Sequence, residues 1–149
     1  MKKINYLKGD ATKPIGEGKK IICHICNDIG AWGSGFVLAL SNRWDEPEEH
    51  YRNMPLRLLG NTMFVPVEYD IIVANMIAQH NIRPDDDGLP PIRYAALRKC
   101  LTEVNEFADM LDASIHMPRI GTGLAGGKWE EIEKIIMDTM SVEVYVYDL

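Results

Sequence analysis

The stretch at residues 20–26 (KIICHIC) is apolar at nearly every position and rich in isoleucine and cysteine. A strand with one solvated face alternates apolar and polar residues, whereas a strand buried on both faces carries an almost continuous apolar run. The stretch therefore predicts a central strand in a sheet that is covered on both faces. This requirement for a layer on each side limits the fold more than any other feature of the chain.

Five further strands and three or four helices follow from the periodicity of apolar residues. The predicted strands lie at residues 3–7, 62–67, 71–77, 114–117 and 142–147, and the predicted helices at 36–44, 48–52, 92–111 and 129–140. Six strands interleaved with helices predict a three-layer α/β fold with a mixed six-stranded sheet. No helix separates strands 62–67 and 71–77, which argues against a plain doubly wound parallel sheet.

Length and charge narrow the class of protein. The 149 residues fit one domain, residues 1–149. A formal net charge of −6 opposes general attraction to nucleic acid or an anionic membrane surface. No apolar run approaches the roughly 18 residues of a membrane span, and the first residues carry no signal-peptide pattern. With three cysteines and no export signal, we expect reduced thiols and a cytoplasmic protein.

Two glycine-rich segments follow predicted strands. They are Gly30-Ala31-Trp32-Gly33-Ser34-Gly35 and Gly121-Thr122-Gly123-Leu124-Ala125-Gly126. Glycine allows the backbone to approach a ligand closely, and a helix that starts after such a loop offers unpaired amides to an anion. We expect both segments to open a helix and to clamp one diphosphate between them. The alternative is that each segment is only a tight turn.

Two short motifs are typical of other functions, but the surrounding sequence argues against each of them. The second segment spells GxGxxG, but too little chain follows it for a Rossmann unit and its ribose-binding carboxylate, so a nicotinamide-dependent oxidoreductase is not expected. Cys23 and Cys26 spell CxxC, but residues three apart on a strand point to opposite faces, so one metal ion cannot bind both thiolates. We predict no metal site and no cofactor, and we expect His24 to be a satisfied core histidine.

Four polar residues at predicted strand ends are candidates for a site. The Asp10 carboxylate can accept a hydrogen bond from the exocyclic amine of adenine, or it can cap the turn that follows. Asn27 and Asp28 close the central strand ahead of the first glycine segment, where ribose hydroxyls are plausible partners. His80 ends an apolar strand and can act as an acid or base near neutrality, with a surface histidine as the alternative.

Several segments together resemble a macrodomain, in particular the branch of terminal ADP-ribose protein glycohydrolases and ADP-ribose 1″-phosphate phosphatases. The resemblance runs from about Tyr6 to Leu149. It is carried by Gly9-Asp10-Ala11, residues 24–27, residues 30–35, Met117-Pro118-Arg119-Ile120-Gly121-Thr122-Gly123-Leu124, Trp129-Glu130 and residues 146–149. The run from Met117 to Leu124 with the downstream tryptophan is specific to the family, whereas Gly-Asp alone is not.

The resemblance implies a six-stranded mixed sheet between helices, with ADP-ribose in a cleft at the strand ends. It places Asp10 and Ala11 at the adenine, next to Gly9, with Leu149 bordering the base. Residues 30–35 would approach the distal ribose and pyrophosphate. The phosphates would lie in the segment Arg119, Ile120, Gly121, Thr122, Gly123, Leu124 and Ala125.

The branch's catalytic residues do not carry over. Its glycohydrolases have an aspartate where this chain has Ala125, and an attacking lysine in the segment that matches residues 78–80, where no lysine stands. A covalent mechanism through lysine is therefore not expected. Two hypotheses follow: a hydrolase acting at the distal ribose of an ADP-ribose derivative, with water activated by His80, Asp28 or the substrate phosphates, or a module that binds free or attached ADP-ribose without turnover.

Overall fold

The computed structural model of the protein describes residues 3–149 as one sheet with helices on both faces. Its strands are β1 (Ile4–Lys8), β2 (Lys20–Asn27), β3 (Thr62–Glu68), β4 (Ile71–Gln79), β5 (Ser114–Met117) and β6 (Val144–Asp148). Its helices are α1 (Phe36–Arg43), α2 (Glu46–Arg52), α3 (Tyr94–Leu111) and α4 (Trp129–Thr139). The predicted three-layer α/β fold with a six-stranded mixed sheet is confirmed.

The strand order is β1-β6-β5-β2-β4-β3. Among the described strands, β3 and β4 pair antiparallel and the other neighbours are parallel, so the sheet is not the plain doubly wound parallel sheet that the missing helix argued against. Five strands therefore end at the same edge of the sheet. In open α/β sheets this carboxyl edge is where ligands bind.

The central strand β2 contributes to two hydrophobic cores. Ile21 and Cys23 are buried with α3 and α4 on one face, and Ile22 and Cys26 are buried with α1 and α2 on the other. Cys23 and Cys26 thus point to opposite faces, as the strand geometry predicted. All three cysteines of the chain are free and buried.

The observed elements differ from the predicted ones mainly at their ends. Helix α3 begins at Tyr94 rather than at residue 92, because Ile92 forms an isolated bridge with Gln79 and Arg93 is extended. Helix α2 begins two residues earlier than predicted, with Pro47 in its first turn, where the missing amide of proline costs nothing. Strand β6 begins at Val144 rather than at residue 142.

One prediction about the glycine segments is wrong. The segment at residues 30–35 does open a helix, α1, with Gly35 at the N-cap. The segment at residues 121–126 does not, because Gly127 and Lys128 come before α4 begins at Trp129. Its amides therefore belong to a loop and not to a helix end. Among the described residues, no helix is long and apolar enough to cross a membrane.

Candidate ligand-binding cleft

A cavity of about 380 Å³ opens at the carboxyl edge of β2, β4 and β5. This volume lies within the range of small-molecule sites. The two glycine segments face each other across it. Its walls also include His24, Ile25, Cys26, Phe36, Val37, Gln79, Ile82 and Pro118, most of which the sequence analysis did not select.

Most of the predicted ligand-binding residues lie on this cavity. They are Asn27, Trp32, Gly33, Ser34, Gly35, Arg119, Ile120, Gly121, Gly123, Leu124 and Ala125. Six others lie outside its lining: Gly9, Asp10, Ala11, Gly30, Thr122 and Leu149. Gly30 has a structural reason to be glycine, because its φ of 81° is a left-handed conformation that favours glycine.

The first glycine segment presents unpaired amides to the cavity. Within residues 3–149, no acceptor pairs with the backbone amides of Gly33, Ser34 or Gly35. Gly35 has a φ of 80°, a left-handed conformation that favours glycine, and it caps the N-terminus of α1. The helix dipole adds a partial positive charge at this point. This wall of the cavity is suited to an anion.

The second segment is a loop that is fixed by two backbone hydrogen bonds and by packing against Ile92. Gly126 donates its amide to Gly123 O at 3.0 Å, and Gly127 donates to Gly121 O at 2.7 Å. Gly121 adopts a φ of 75°, and a Cβ there would lie 2.7 Å from Cδ1 of Ile92. In the part of the chain that the structure describes, the amides of Thr122, Gly123 and Leu124 donate to no acceptor. A second row of free donors therefore lies opposite the first.

Gly33 and Gly123 differ from the other glycines of the cleft. Neither has a positive φ, and a Cβ at either position would meet nothing within 4 Å. Neither backbone conformation nor packing therefore explains glycine at these two positions. Both line the cavity, one from each segment. A ligand that approaches the backbone closely at both points is a sufficient reason for glycine there.

A second group of candidate residues gathers at the ends of β1 and β6. The Gly9 amide donates to Asp148 O at 2.7 Å, which brings Asp10 next to the end of β6. Asp10 Oδ1 accepts hydrogen bonds from the amide and hydroxyl of Thr12 at 2.9 and 2.7 Å. Asp10 therefore caps the turn that follows it, which is the alternative role that the sequence offered. Across residues 3–149, Oδ2 of Asp10 accepts no hydrogen bond, so the carboxylate retains a free acceptor.

Asp10 is an anion at neutral pH. Partial burial alone would raise the pKa of its carboxyl group, but the hydrogen bonds from Thr12 outweigh burial and hold the pKa below its ordinary value. The free oxygen is therefore a hydrogen-bond acceptor and not a donor.

Arg119 connects the cavity with this group. Its guanidinium forms a two-point ion pair with Asp148, with contacts of 2.7 and 3.0 Å. Cζ lies 5.0 Å from the ring centre of Tyr6 and 5.3 Å from that of Trp129, which is the range of cation–π contacts. The planar group is thereby held at the edge of the cleft, facing the β1 and β6 ends.

Asp28 and His80 form a pair beside the cavity. Asp28 Oδ2 lies 2.7 Å from Nδ1 of His80, and Oδ1 accepts the amide of Asn81 at 2.8 Å. Neither residue lines the cavity, although their chain neighbours Asn27, Gln79 and Ile82 do. The structure thus brings together the two predicted catalytic residues at one end of the cleft.

The inner wall of the cleft contains two residues with reactive side-chain types, His24 and Cys26, and neither is reactive at neutral pH. His24 is 2% exposed, its Nε2 lies 2.5 Å from Oδ1 of Asn75, and burial lowers its pKa to about 4. His24 is thus a buried, hydrogen-bonded core histidine, as expected from the sequence. Burial also raises the pKa of the Cys26 thiol well above its ordinary value, so Cys26 is not a nucleophile at neutral pH.

Solved structures place the protein in a family. A macrodomain protein from Streptomyces coelicolor is 44% identical, with a TM-score of 0.86 and 99% of both chains covered. A protein of unknown function from Bacteroides thetaiotaomicron is 57% identical, with a TM-score of 0.96 and 99% of this chain and 98% of that chain covered. At such identity over the full length, the chain belongs to the macrodomain family. A comparison with models of known protein families found no match.

Curated relatives and a ligand complex add to this assignment. The chromodomain-helicase-DNA-binding protein 1-like of Mus musculus is 33% identical over 97% of this chain, which spans only 17% of that protein. The ADP-ribose 1″-phosphate phosphatase of Candida albicans is 24% identical, with 96% of this chain and 99% of that protein covered. Thermosipho africanus DarTG in complex with ADP-ribose shares the fold alone, at 10% identity and a TM-score of 0.65 over 85% of this chain and 37% of that chain.

Proposed function

We propose that this protein binds ADP-ribose, or a molecule that carries an ADP-ribosyl group, in the cleft between the two glycine segments. The observation that carries the proposal is that residues with unpaired amides, 33–35 in one segment and 123–124 in the other, line the same cavity. A diphosphate has acceptor oxygens on both sides, and backbone amides bind such oxygens at loops and helix N-termini. The open faces of Gly33 and Gly123 leave room for that approach.

The group at the ends of β1 and β6 fits the adenine. The free Oδ2 of Asp10 can accept the exocyclic amine of adenine, which guanine lacks at that position. Arg119 stands between this group and the cavity, and Leu149 is fully exposed beside it. We therefore orient the ligand with its base near Asp10 and Leu149, its diphosphate between the glycine segments and its distal ribose toward Asn27.

Two similar proteins support this assignment. Two of the proteins compared above are named for an ADP-ribose derivative or were solved with ADP-ribose. Both cover most of this chain.

Calorimetry with ADP-ribose, ADP and ribose 5-phosphate tests the binding proposal. ADP-ribose should bind most tightly, because only it fills the base, diphosphate and distal ribose positions together. The control is GDP-ribose, which keeps both phosphates and both sugars and changes only the base. Equal affinity for all four ligands would contradict the proposal.

A second function, hydrolysis at the distal ribose, is favoured by the contact between Asp28 and His80. If Nδ1 of His80 donates to the Asp28 carboxylate, Nε2 is left with a free lone pair that can take a proton from water. The water would then attack the electrophilic atom at the distal ribose, which is phosphorus in the 1″-phosphate, the acyl carbon in an acetyl ester and the anomeric carbon in an ADP-ribosylated protein. The bond from that atom to the leaving group would break, and His80 would return the proton to the leaving atom. This mechanism needs neither the lysine nor the aspartate of the related glycohydrolases.

A substrate panel separates the two functions. The protein is incubated with ADP-ribose 1″-phosphate, O-acetyl-ADP-ribose and ADP-ribosylated protein, and the products are identified by mass spectrometry. We expect turnover of at least one of the three. The control is the His80→Ala variant in the same panel. Tight binding of every member with no product from any would contradict the hydrolase and leave the binding module.

A further inference from the structure

The hydroxyl of Tyr51 reaches the first glycine segment from behind. Tyr51 lies on α2, is 0% exposed and does not line the cleft. We propose that Tyr51 is a positioning residue that sets the conformation of residues 29–35 through Asn27. This inference rests on the proposed ligand cleft, since its functional consequence is the alignment of the free amides there.

Two acceptors share the single proton of the Tyr51 hydroxyl. Its oxygen lies 2.6 Å from the carbonyl oxygen of Asn27 and 2.7 Å from Oδ1 of the same residue. Burial raises the pKa of Tyr51, so the hydroxyl keeps its proton and remains a donor at neutral pH, while its oxygen also interacts with the backbone amide of Gly30. The contact fixes both the backbone and the side chain of Asn27 at the end of β2.

Asn27 in turn fixes the loop. Its Oδ1 accepts the amides of Ile29 at 3.1 Å and Ala31 at 3.0 Å, and its Nδ2 donates to the carbonyl of Ala31 at 2.8 Å. Both polar groups of Ala31 are thus turned inward. The next amides, from Gly33 to Gly35, are left on the cleft side without acceptors among residues 3–149. The side chain of Asn27 therefore shapes the donor row.

The ring of Tyr51 is held from two sides. Trp32, which lines the cleft, packs against it with ring centres 5.2 Å apart. Cζ of Arg57 lies 5.1 Å from the centre of the Tyr51 ring. Removing the hydroxyl alone should therefore leave the ring in place, which makes Tyr51→Phe a clean test of the hydrogen bond.

Amide hydrogen exchange of the ligand-free protein measures the positioning directly. In Tyr51→Phe, the amides of Ile29 and Ala31 should exchange roughly tenfold faster, the change expected for losing one hydrogen bond. The amide of Val73 in β4 should not change. Tyr145→Phe is the matched control, because the same atom is removed from β6, away from the first glycine segment. Unchanged exchange at Ile29 and Ala31 would overturn the proposal.

Ligand binding then tests the consequence. Tyr51→Phe should weaken ADP-ribose binding by about fivefold or more, and Asn27→Ala should weaken it at least as much. The double variant should lose less affinity than the sum of the two single losses, because Tyr51 acts mainly through that residue. Additive losses would contradict this route. Val104→Ala, a destabilising change in the opposite core, should leave affinity unchanged.

Two further outcomes are decisive. If Tyr51→Phe does not fold, the hydroxyl proton of Tyr51 in the unaltered protein decides the question: its NMR signal should exchange slowly with water, because the hydroxyl donates to Asn27, and exchange as fast as that of a free tyrosine would overturn the proposal. If exchange accelerates as expected but the unaltered protein does not bind ADP-ribose, the loop-positioning role is supported and the proposed ligand is wrong. The exchange measurement thus stands apart from the proposed function.

Discussion

Asp28 contacts His80 and the backbone beyond it at once: one carboxylate oxygen lies 2.7 Å from Nδ1 of His80, and the other accepts the Asn81 amide. Asn81 has a φ of 59°, a left-handed conformation that asparagine tolerates better than most residues. The carboxylate therefore fixes both the imidazole and the turn that follows β4.

The first prediction concerns catalysis by this pair. If a derivative of ADP-ribose is turned over, His80→Ala should lower kcat by at least about 100-fold, the loss typical of a general base. ADP-ribose affinity should stay within about twofold, because His80 does not line the cavity. His50→Ala, an exposed histidine on α2, is the control in the same kinetic assay. A kcat effect below about fivefold would make His80 a bystander.

The second prediction concerns base recognition by Asp10. Asp10→Ala should weaken ADP-ribose binding by about 1–3 kcal/mol, the range for a hydrogen bond to a charged group. The preference for ADP-ribose over GDP-ribose should shrink by the same factor in calorimetry. Thr12→Val removes the capping hydroxyl and leaves the carboxylate, so it should keep the preference. An undiminished preference in Asp10→Ala would remove Asp10 from the base site.

The third prediction separates two glycines of one segment. Gly123→Val should abolish or strongly weaken ADP-ribose binding with little change in thermal stability, because its Cβ would point into open space. Gly121→Ala should instead destabilise the fold by about 1–3 kcal/mol, because its φ is 75° and a Cβ would crowd Ile92. Thermal unfolding and calorimetry of both variants check this. Normal binding by Gly123→Val would show that the segment is only a turn.

The fourth prediction concerns acid stability. Burial lowers the pKa of His24 and of His116 from 6.5 to about 4 in the folded state. The unfolded protein therefore binds more protons between these values, and folding stability should fall as pH drops from about 6.5 toward 4. Each histidine contributes up to ~3 kcal/mol of this loss. Denaturant unfolding at pH 7, 6, 5 and 4.5 measures the slope, and a flat or rising stability toward pH 4.5 would contradict it.

The layers of the fold were predictable because they depend on the order of apolar and polar residues within each strand and helix. The continuous apolar run of β2 requires cover on both faces, and the structure supplies a core on each. The end of β4 was less accessible to such reasoning. Ala78 and Gln79 continue the strand through pairing with residues far along the chain, including the bridge from Gln79 to Ile92.

The candidate site was predictable in part for the same reason. Glycine-rich segments are easy to recognise in a sequence, so most residues of the cavity wall were predicted to bind the ligand. The apolar wall of Phe36 and Val37 looked like ordinary helix core, and Tyr51 carried no signal at all. Its contact with Asn27 depends on how α2 packs against the end of β2, which is a property of the tertiary structure.

The pairing of β1 with β6 sets an order for folding during synthesis. Within residues 3–149, β1 pairs with β6 and with no other strand, so residues 4–8 have no sheet partner until residues 144–148 have been synthesised. The same holds for Gly9, whose amide waits for the carbonyl of Asp148. Contacts that span such a distance along the chain are slow to form. The central strands can therefore form first in a nascent chain, and the end of the cleft next to Asp10 forms only once residues 144–148 have been made.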